Sequence, residues 1–374
     1  MRGVAILGST GSVGRTTLDV LRQQRDHFRV VALTAGRNRE ELLAQAAEWK
    51  PGFVGLAQPG LNGGLPASPE VLVEAATRPD ADIVVNAVVG SAGLEATLAA
   101  LHAGKRVALA NKETLVMAGD LVRQAACVGG GEIVPVDSEH SAVLQCVTGR
   151  DTGMGRLILT CSGGPFREWP AARVLEATVE EALRHPTWSM GQKITVDSAT
   201  LANKALELIE AHHLFRLPYD ALEVVIHPQS IVHAFVEFCD GSVIAQLGFP
   251  SMELPILYAL THPGRLPHAG TRRFDPVAAG PLTFEPPRSD VFRALGAGIA
   301  AGRAGGTAPA VFNAANEVAV AAFLDRAIPF GRISDVIDAV LAAHAPAPAT
   351  SLEVVQEADR WARVRAREHV RSSW

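Results

Sequence analysis

The sequence Val4-Ala5-Ile6-Leu7-Gly8-Ser9-Thr10-Gly11-Ser12-Val13-Gly14 decides the fold of the N-terminal region. Its apolar start predicts a strand over residues 4–7, and the glycines at 8, 11 and 14 predict a tight turn that opens a helix. Glycines let backbone N–H groups approach a pyrophosphate, and a helix N-terminus favours its negative charge. The G-x-x-G-x-x-G spacing therefore predicts a dinucleotide-binding loop, although a plain tight turn is the alternative.

The residues that follow, as far as about 135, alternate strand-like runs with segments of helical periodicity. Helical periodicity fills the gaps between strands, as at 16–21 and 94–101. Such alternation with short connections is typical of α/β proteins, and it predicts a Rossmann-like, doubly wound parallel sheet. The predicted strands cover residues 4–7, 30–34, 53–56, 83–87, 107–110 and 133–136. A glycine- and proline-rich run at 59–66 predicts a surface loop.

The pattern changes after residue 138. A strand at 157–160 is followed by helices near 180–183 and 201–214. Three strand-like runs then follow without helices between them, at 222–226, 231–238 and 243–247. Asp240-Gly241 joins the last two and predicts a hairpin. This region therefore reads as an α+β domain with an antiparallel part.

The remainder of the chain divides into a linker and a helical bundle. Residues 263–288 are rich in proline and lack periodicity. Alanine-rich helical patterns follow at 291–301, 309–325, 333–343 and 351–369. The predicted organisation is a nucleotide-binding domain at 1–137, a catalytic α+β domain at 138–262, a linker at 263–288 and a C-terminal helical domain at 289–374.

The bulk composition excludes several classes of partner. The net charge is −5, and a chain without basic excess is not expected to bind nucleic acid or an anionic membrane. No uninterrupted apolar stretch approaches the roughly 20 residues that a membrane span needs. The four cysteines are scattered without a C-x-x-C motif, and the N-terminus enters a strand without a signal sequence. We therefore expect a cytoplasmic protein with reduced thiols.

The end of the second predicted strand distinguishes between nicotinamide cofactors. An NAD-binding protein usually has an acidic residue there, which bonds the ribose 2′-hydroxyl. This chain reads Ala35-Gly36-Arg37-Asn38 and has no acid before Glu40. Arg37 can pair with a 2′-phosphate, so NADP is favoured over NAD, unless Arg37 is simply a surface residue at a helix start.

Three carboxylates indicate a metal site. Asp137 and Glu139 follow the last strand of the predicted sheet, and in extended chain residues i and i+2 point the same way. Glu207 follows Asn203 and Lys204 by about one helical turn, so one helix face offers all three groups. Oxygen ligands without a thiolate favour Mg²⁺ or Mn²⁺ over Zn²⁺. The alternative for Asp137 and Glu139 is helix capping, with Asp137 or Ser138 as the N-cap. His140 could be a fourth ligand, but it is more simply a structural residue at a helix start beside the site.

A set of small polar residues indicates a phosphate site. Ser162-Gly163-Gly164 follows a strand and can present a hydroxyl and backbone N–H groups. Ser198, Asn203 and Lys204 add neutral donors and one positive charge. Each serine taken alone is more simply a turn or cap residue, and the cluster is what favours phosphate. Between them, residues 185–191 predict a mobile loop with Trp188 as a lid, or alternatively a rigid turn with Trp188 in the core.

At these residues the chain resembles the 1-deoxy-D-xylulose 5-phosphate reductoisomerase family over nearly its whole length. The matching blocks are GSTGSVG (8–14), AGRN (35–38), ALANKE (108–113), PVDSEH (135–140), SGGPF (162–166), HPTWSMG (185–191), VDSATLANKALE (196–207), IHPQS (226–230), GSVIAQLG (241–248) and NAANEVAVAAFL (313–324). Two departures from the family pattern are Arg37, where lysine is expected, and Cys161, where a smaller residue is usual; neither removes the charge or the space required.

The resemblance implies an NADPH- and metal-dependent enzyme that rearranges and reduces 1-deoxy-D-xylulose 5-phosphate to 2-C-methyl-D-erythritol 4-phosphate in the non-mevalonate isoprenoid pathway. It implies a homodimer, and Mg²⁺, Mn²⁺ or Co²⁺ as the metal. It implies metal ligands at Asp137, Glu139 and Glu207, which with Lys112 form the catalytic set. The implied substrate residues are Lys112, Ser138, Glu139, Ser162, His185, Trp188, Ser198, Asn203, Lys204 and Glu207. The implied NADPH residues are Thr10, Gly11, Ser12, Val13, Gly36, Arg37, Asn38, Asn111, Glu113 and Gly191.

The chemistry that the resemblance implies is consistent with these groups. A divalent metal chelated by substrate oxygens would act as a Lewis acid, and Lys112 could stabilise developing negative charge or move protons. Two other functions fit parts of the sequence. A simpler NADP dehydrogenase would need no metal, and a non-enzymatic nucleotide-binding regulator would leave Lys112, Lys204 and the carboxylates without a role.

Overall fold

The computed structural model describes residues 1–59, 64–149, 153–188 and 190–372. Part of the loop predicted at 59–66, and Ser189 of the predicted lid, lie outside the described residues.

The first 148 residues form strands and helices in strict alternation. The strands are β1 (Arg2–Leu7), β2 (Phe28–Ala35), β3 (Phe53–Leu56), β4 (Ile83–Asn86), β5 (Arg106–Leu109) and β6 (Glu132–Pro135). The helices are α1 (Ser12–Arg22), α2 (Arg39–Trp49), α3 (Val71–Thr77), α4 (Leu94–His102), α5 (Lys112–Gly129) and α6 (Ser138–Val147). All six strands pair in parallel, in the order β3-β2-β1-β4-β5-β6. The predicted doubly wound sheet is confirmed.

A second sheet follows in the next hundred residues. Its strands are β7 (Met154–Cys161), β8 (Leu222–Ile226), β9 (Val232–Phe238) and β10 (Val243–Leu247), and they are ordered β10-β9-β7-β8. The helices between β7 and β8 are α7 (Ala171–Leu175), α8 (Val179–Ala182), α9 (Gln192–Thr200) and α10 (Ala202–Phe215). The pairs β7–β9 and β9–β10 are antiparallel, which confirms the predicted α+β character, whereas β7–β8 is parallel and was not predicted.

The rest of the described chain is helical. Its helices are α11 (Glu253–Thr261), α12 (Pro276–Ala279), α13 (Arg293–Ala304), α14 (Ala308–Leu324), α15 (Arg332–Ala342) and α16 (Leu352–Arg371). The last four match the predicted bundle to within a few residues at each end. Helices α7, α9, α11 and α12 were not predicted, because α7 and α12 have only five and four residues, α9 is polar and α11 is apolar on all sides.

The chain forms two compact units. The first comprises Met1–Thr114, Asp120–Thr148 and Ser251–Arg272, and the second comprises Leu115–Gly119, Gly149–Pro250 and Arg273–Trp374. In the first unit, Ile256, Leu257 and Leu260 of α11 join the buried core that the parallel sheet forms with α1 and α2. The segment 251–272 thus belongs to the core of the first unit although it follows the second sheet in sequence. The domain boundaries after residues 137, 262 and 288 stay predictions.

Helix α14 is the core element of the second unit's helical part. Twelve of its residues are buried, and it packs against α13, α15 and α16. Proline at its start suits the first helical turn, where no intrahelical N–H partner is lost. Among the described residues, no helix is both long and apolar enough to cross a membrane.

We expect Gly298→Ala to destabilise the second unit. A Cβ at Gly298 in α13 would lie 2.4 Å from Ala205 Cβ and 2.8 Å from Phe312 Cζ, so the helices would have to separate. Overpacking of this kind costs about 1–3 kcal/mol. Gly296 lies in the same helix with nothing within 4 Å of its would-be Cβ, so Gly296→Ala is the matched control. That control should gain about 0.5–1 kcal/mol from helix propensity. Thermal melts that shift alike for both variants would contradict the packing.

Candidate active site

The glycine-rich loop after β1 forms a cradle. Gly8 has a φ of +82°, and a Cβ at Gly14 would lie 2.3 Å from the Gly8 carbonyl oxygen, so only glycine lets α1 approach the loop this closely. Gly11 is the N-cap of α1 and has no side chain to cap it. The first-turn N–H groups of α1 are therefore suited to an anion. The predicted residues Thr10, Ser12 and Val13 lie in this same turn.

The predicted cofactor residues Gly36, Arg37 and Asn38 connect the neighbouring strand β2 to α2. Gly36 and Arg37 are exposed, and Arg37 Nε donates to Gln58 Oε1 at 2.5 Å. Asn38 is the N-cap of α2 and accepts from the Glu41 N–H at 3.2 Å. The Arg37 guanidinium therefore lies at the exposed start of α2, where its two terminal nitrogens can donate to a phosphate.

Asn111 lies just after β5, at the edge of the parallel sheet where the carboxyl ends of the strands are. Its side chain caps α5 and donates to the carbonyls of Val88 and Gly90 at 2.8 and 2.9 Å. It also donates to Glu113 Oε2 at 2.9 Å. Asn111 and Glu113 are both buried, so this network fixes the start of α5 and the loop after β4 in one arrangement.

The first turn of α6 presents an acidic cluster beside a buried lysine. Lys112, only 8% exposed, pairs with Asp137. Asp137 is the N-cap of α6, as the capping alternative predicted, and accepts from the Ser138 N–H at 3.0 Å. Ser138 Oγ donates to Glu139 Oε2 at 2.6 Å, and the buried His140 lies 3.6 Å from Asp137.

One premise about this cluster was wrong. Asp137 and Glu139 do not lie in extended chain, because α6 begins at Ser138. The strand period of two therefore does not orient them, and their placement follows from the helix start instead.

Ser162, His185 and Ser198 form a second polar cluster, in the second unit. His185 Nε2 lies 3.1 Å from Ser162 Oγ and 3.1 Å from Ser198 Oγ. On the other side of the ring, the N–H groups of Thr187 and Trp188 donate to His185 Nδ1 at 3.1 and 2.9 Å. The sequence predicted these residues as neighbours of one site but not the histidine as the link between the two serines.

These contacts determine the proton positions in the cluster. Nδ1 accepts two N–H groups, so the proton of the neutral ring is on Nε2. Burial lowers the pKa of His185 to about 4, which keeps the ring neutral near pH 7. The Nε2–H then donates to the serine oxygens, which leaves both hydroxyl protons available to an anion.

Helix α10 carries the other candidate residues. Lys204 and Glu207, 2% and 1% exposed, form an ion pair, and Asn203 Nδ2 also donates to Glu207. Leu201 has a φ of +60° and separates α9 from α10. Helix α10 therefore begins one residue later than the helix predicted at 201–214. Amide, ammonium and carboxylate thus share one helix face, as their spacing indicated.

The remaining predicted residues, Trp188 and Gly191, both precede α9. Gly191 is the N-cap of α9, and Trp188 is half-buried just before it. Sequence reasoning missed Asp197, which is buried in α9 and accepts from Asn316 Nδ2 at 2.8 Å and pairs with Lys193 at 2.9 Å. Two asparagines within the alanine-rich α14 were the available signal, because a buried amide needs a partner.

Comparisons with known proteins give the same family along the length of the chain. Three family models match the chain. The model described as 1-deoxy-D-xylulose 5-phosphate reductoisomerase matches residues 4–119, and the model described as its C-terminal domain matches residues 133–215. The model described as the DXP reductoisomerase C-terminal domain matches residues 247–365. A curated 1-deoxy-D-xylulose 5-phosphate reductoisomerase from Desulfitobacterium hafniense is 48% identical, with 100% of both chains covered. The chain belongs to the 1-deoxy-D-xylulose 5-phosphate reductoisomerase family.

Two solved reductoisomerase structures show the same architecture. One, from Zymomonas mobilis in complex with NADPH, is 42% identical with a TM-score of 0.92, and 100% of each chain is covered. Another, in complex with NADPH, fosmidomycin and magnesium, is 41% identical with a TM-score of 0.93, and covers 99% of this chain and 98% of its own. Every candidate site residue falls within the first two ranges matched by the reductoisomerase family models.

We expect His185 to make the protein acid-sensitive. Its pKa is about 4 when folded against an ordinary value of 6.5, so between these values the unfolded chain binds more protons. The stability that the neutral ring contributes is present above pH 6.5 and is lost as the pH falls toward 4. Melting temperatures measured from pH 7.5 to 4.5 should therefore fall further for the wild type than for His185→Gln. The exposed His102→Gln is the control, and equal slopes for wild type and His185→Gln would contradict the assignment.

Proposed function

We propose that this chain converts 1-deoxy-D-xylulose 5-phosphate to 2-C-methyl-D-erythritol 4-phosphate, with NADPH as the reductant and a divalent cation as the metal cofactor. The observation that carries the activity is family membership over the full length of the chain, at 48% identity. The buried ion pairs Lys112–Asp137 and Lys204–Glu207 support it, because a buried lysine or carboxylate is costly unless it is paired or functional. The product belongs to the non-mevalonate isoprenoid pathway.

The cofactor residues fit NADPH. The uncapped first turn of α1 and the glycine cradle suit a pyrophosphate, which Thr10, Gly11, Ser12 and Val13 would hold. Arg37, with Gly36 and Asn38, would take the 2′-phosphate. Further contacts would come from Asn111, Glu113 and Gly191. When bound, NADPH supplies the hydride for the reduction.

The acidic residues fit a divalent cation. We propose Asp137, Glu139 and Glu207 as its ligands, and three carboxylates without a thiolate suit Mg²⁺, Mn²⁺ or Co²⁺. The cation would supply Lewis-acid polarisation of substrate oxygens. Lys112, paired here with Asp137, is the group we assign to stabilising oxyanion charge or moving a proton on the substrate.

The second polar cluster fits the substrate phosphate. Ser162 and Ser198 can each donate a hydroxyl proton, because His185 Nε2–H donates to their oxygens. Asn203 and Lys204 would add an amide and a positive charge. Ser138, Glu139, Glu207 and Lys112 would contact the reacting end, and Trp188 would cover it. Neutral donors together with Lys204 would bind the phosphate dianion without placing several positive charges in a buried site.

Assembly and location complete the proposal. We propose a homodimer, for which the edge strand β10 offers an open side with the exposed residues Val243 and Leu247. A cytoplasmic location suits the two exposed free thiols, Cys127 and Cys239, which a reducing compartment preserves. We assign NADPH binding to residues 1–137 and catalysis to residues 138–262.

The activity is tested by NADPH oxidation at 340 nm with 1-deoxy-D-xylulose 5-phosphate. We expect turnover that stops with EDTA and returns with Mg²⁺ or Mn²⁺. Glu139→Gln keeps the size and removes the charge, so it should lower kcat/KM by about 100-fold or more through lost metal positioning. Glu74→Gln is the matched control, since Glu74 is an exposed acid in the first turn of α3. Turnover that survives EDTA, or full activity of Glu139→Gln, would refute the metal role.

We expect Ser162→Ala and Ser198→Ala to weaken phosphate binding. Each removes one hydroxyl donor, and a hydrogen bond to a charged group contributes about 1.5–3 kcal/mol. KM for the substrate and Ki for fosmidomycin, the ligand of one solved reductoisomerase, should therefore each rise roughly tenfold or more. Ser242→Ala is the control, because Ser242 is exposed in the β9–β10 turn. If both serine variants bind fosmidomycin as tightly as the wild type, the phosphate lies elsewhere.

A further inference from the structure

We propose that Gln45 is a positioning residue for NADPH. Its side chain connects the phosphate-binding loop, through Ser9, to helix α2, which Arg37 and Asn38 immediately precede. This inference rests on the proposed NADPH-dependent function and adds a residue that does not touch the cofactor.

The contact between Ser9 and Gln45 is reciprocal. Ser9 Oγ donates to Gln45 Oε1 at 2.6 Å, and Gln45 Nε2 donates to the Ser9 carbonyl at 3.0 Å. Ser9 is 0% exposed and Gln45 is 8% exposed. Both ends of the amide are thus paired with one residue, in a place where an unpaired polar group would be costly.

Ser9 is the point where three elements meet. Its N–H donates to the Thr34 carbonyl of β2 at 2.8 Å, while its side chain and carbonyl bind α2 through Gln45. Helix α1 lies directly on it, because a Cβ at Gly14 would come 2.6 Å from Ser9 Cα. The conformation of the next residues, Thr10 and Gly11, therefore depends on how firmly Ser9 is held.

Helix α2 depends on the same contact. Its buried residues are Leu42 and Gln45, and Trp49 packs partly buried against the same core, so one of its two fully inward side chains is polar. A leucine at 45 would bury more apolar surface but would leave Ser9 Oγ and the Ser9 carbonyl without these partners. Gln45 instead uses two hydrogen bonds to Ser9 to define the position of α2 relative to the loop after β1.

The consequence concerns both phosphate groups of the cofactor. We assign the pyrophosphate to the loop after β1 and the 2′-phosphate to Arg37 and Asn38 at the start of α2. The Gln45–Ser9 contact holds these two subsites at a set separation before NADPH arrives. Preorganisation of this kind improves affinity because less ordering is left for the binding step.

The test substitutes Gln45→Met, which keeps the length of the side chain and removes both hydrogen bonds. NADPH affinity is measured directly, by titration of NADPH fluorescence without substrate. We expect the Kd to rise about tenfold, and the KM for NADPH to rise with it, because more ordering of the loop is left for the binding step. We expect kcat at saturating NADPH to stay within about twofold of the wild type.

The control is the same substitution at another buried glutamine of the first unit. Gln24 is 5% exposed and its Nε2 donates to the Pro267 carbonyl at 2.8 Å. Gln24→Met should lower the melting temperature without changing the Kd for NADPH. If Gln24→Met weakens NADPH as much as Gln45→Met does, the effect is general destabilisation and the inference is wrong.

A second variant covers the case in which Gln45→Met does not fold. Ser9→Ala removes one of the two hydrogen bonds and should raise the Kd for NADPH by a smaller factor. The double variant should be no weaker than Gln45→Met, because both changes break one contact. Wild-type affinity in Ser9→Ala and Gln45→Met would overturn the inference and leave the proposed function intact, whereas a wild type that does not bind NADPH would overturn both.

Discussion

The parallel pairing of β1 with β2 on one side and β4 on the other is the constraint on which the nucleotide site depends. Strands β1 and β4 are the two central strands of the six-stranded sheet, and the strand order reverses between them. Loops after β1 and β4 leave the sheet in opposite directions at such a point, which opens a crevice at the carboxyl ends of the strands. The glycine loop, the Asn111 network and Arg37 are all arranged around that edge.

Both units bury charge. Lys112 with Asp137 in the first, and Lys204 with Glu207 in the second, are pairs in which each lysine is less than a tenth exposed. Replacing such a pair with apolar residues is often neutral or stabilising, so stability alone does not account for them.

Neutral groups have an equally specific role in the second unit. A charged imidazole beside Ser162 and Ser198 would attract a phosphate, but burial lowers the pKa of His185 and keeps it uncharged. The ring acts instead through the direction of its proton, which is set by two backbone N–H groups of Thr187 and Trp188. The loop that begins at His185 and the serine hydroxyls are thereby part of one hydrogen-bond arrangement.

The sequence by itself determined the local features of this protein. The glycine loop, the six strands of the first sheet, the last four helices and the family all follow from short blocks of residues, because turn chemistry and hydrophobic period are local properties. Only the tertiary structure decided the parallel β7–β8 pair, the core position of α11, and the contacts of Gln45 with Ser9 and of Asp197 with Asn316. Those contacts join residues 36 and 119 positions apart. Which buried polar atoms meet across such distances depends on how the elements pack, and no periodicity in the chain records it.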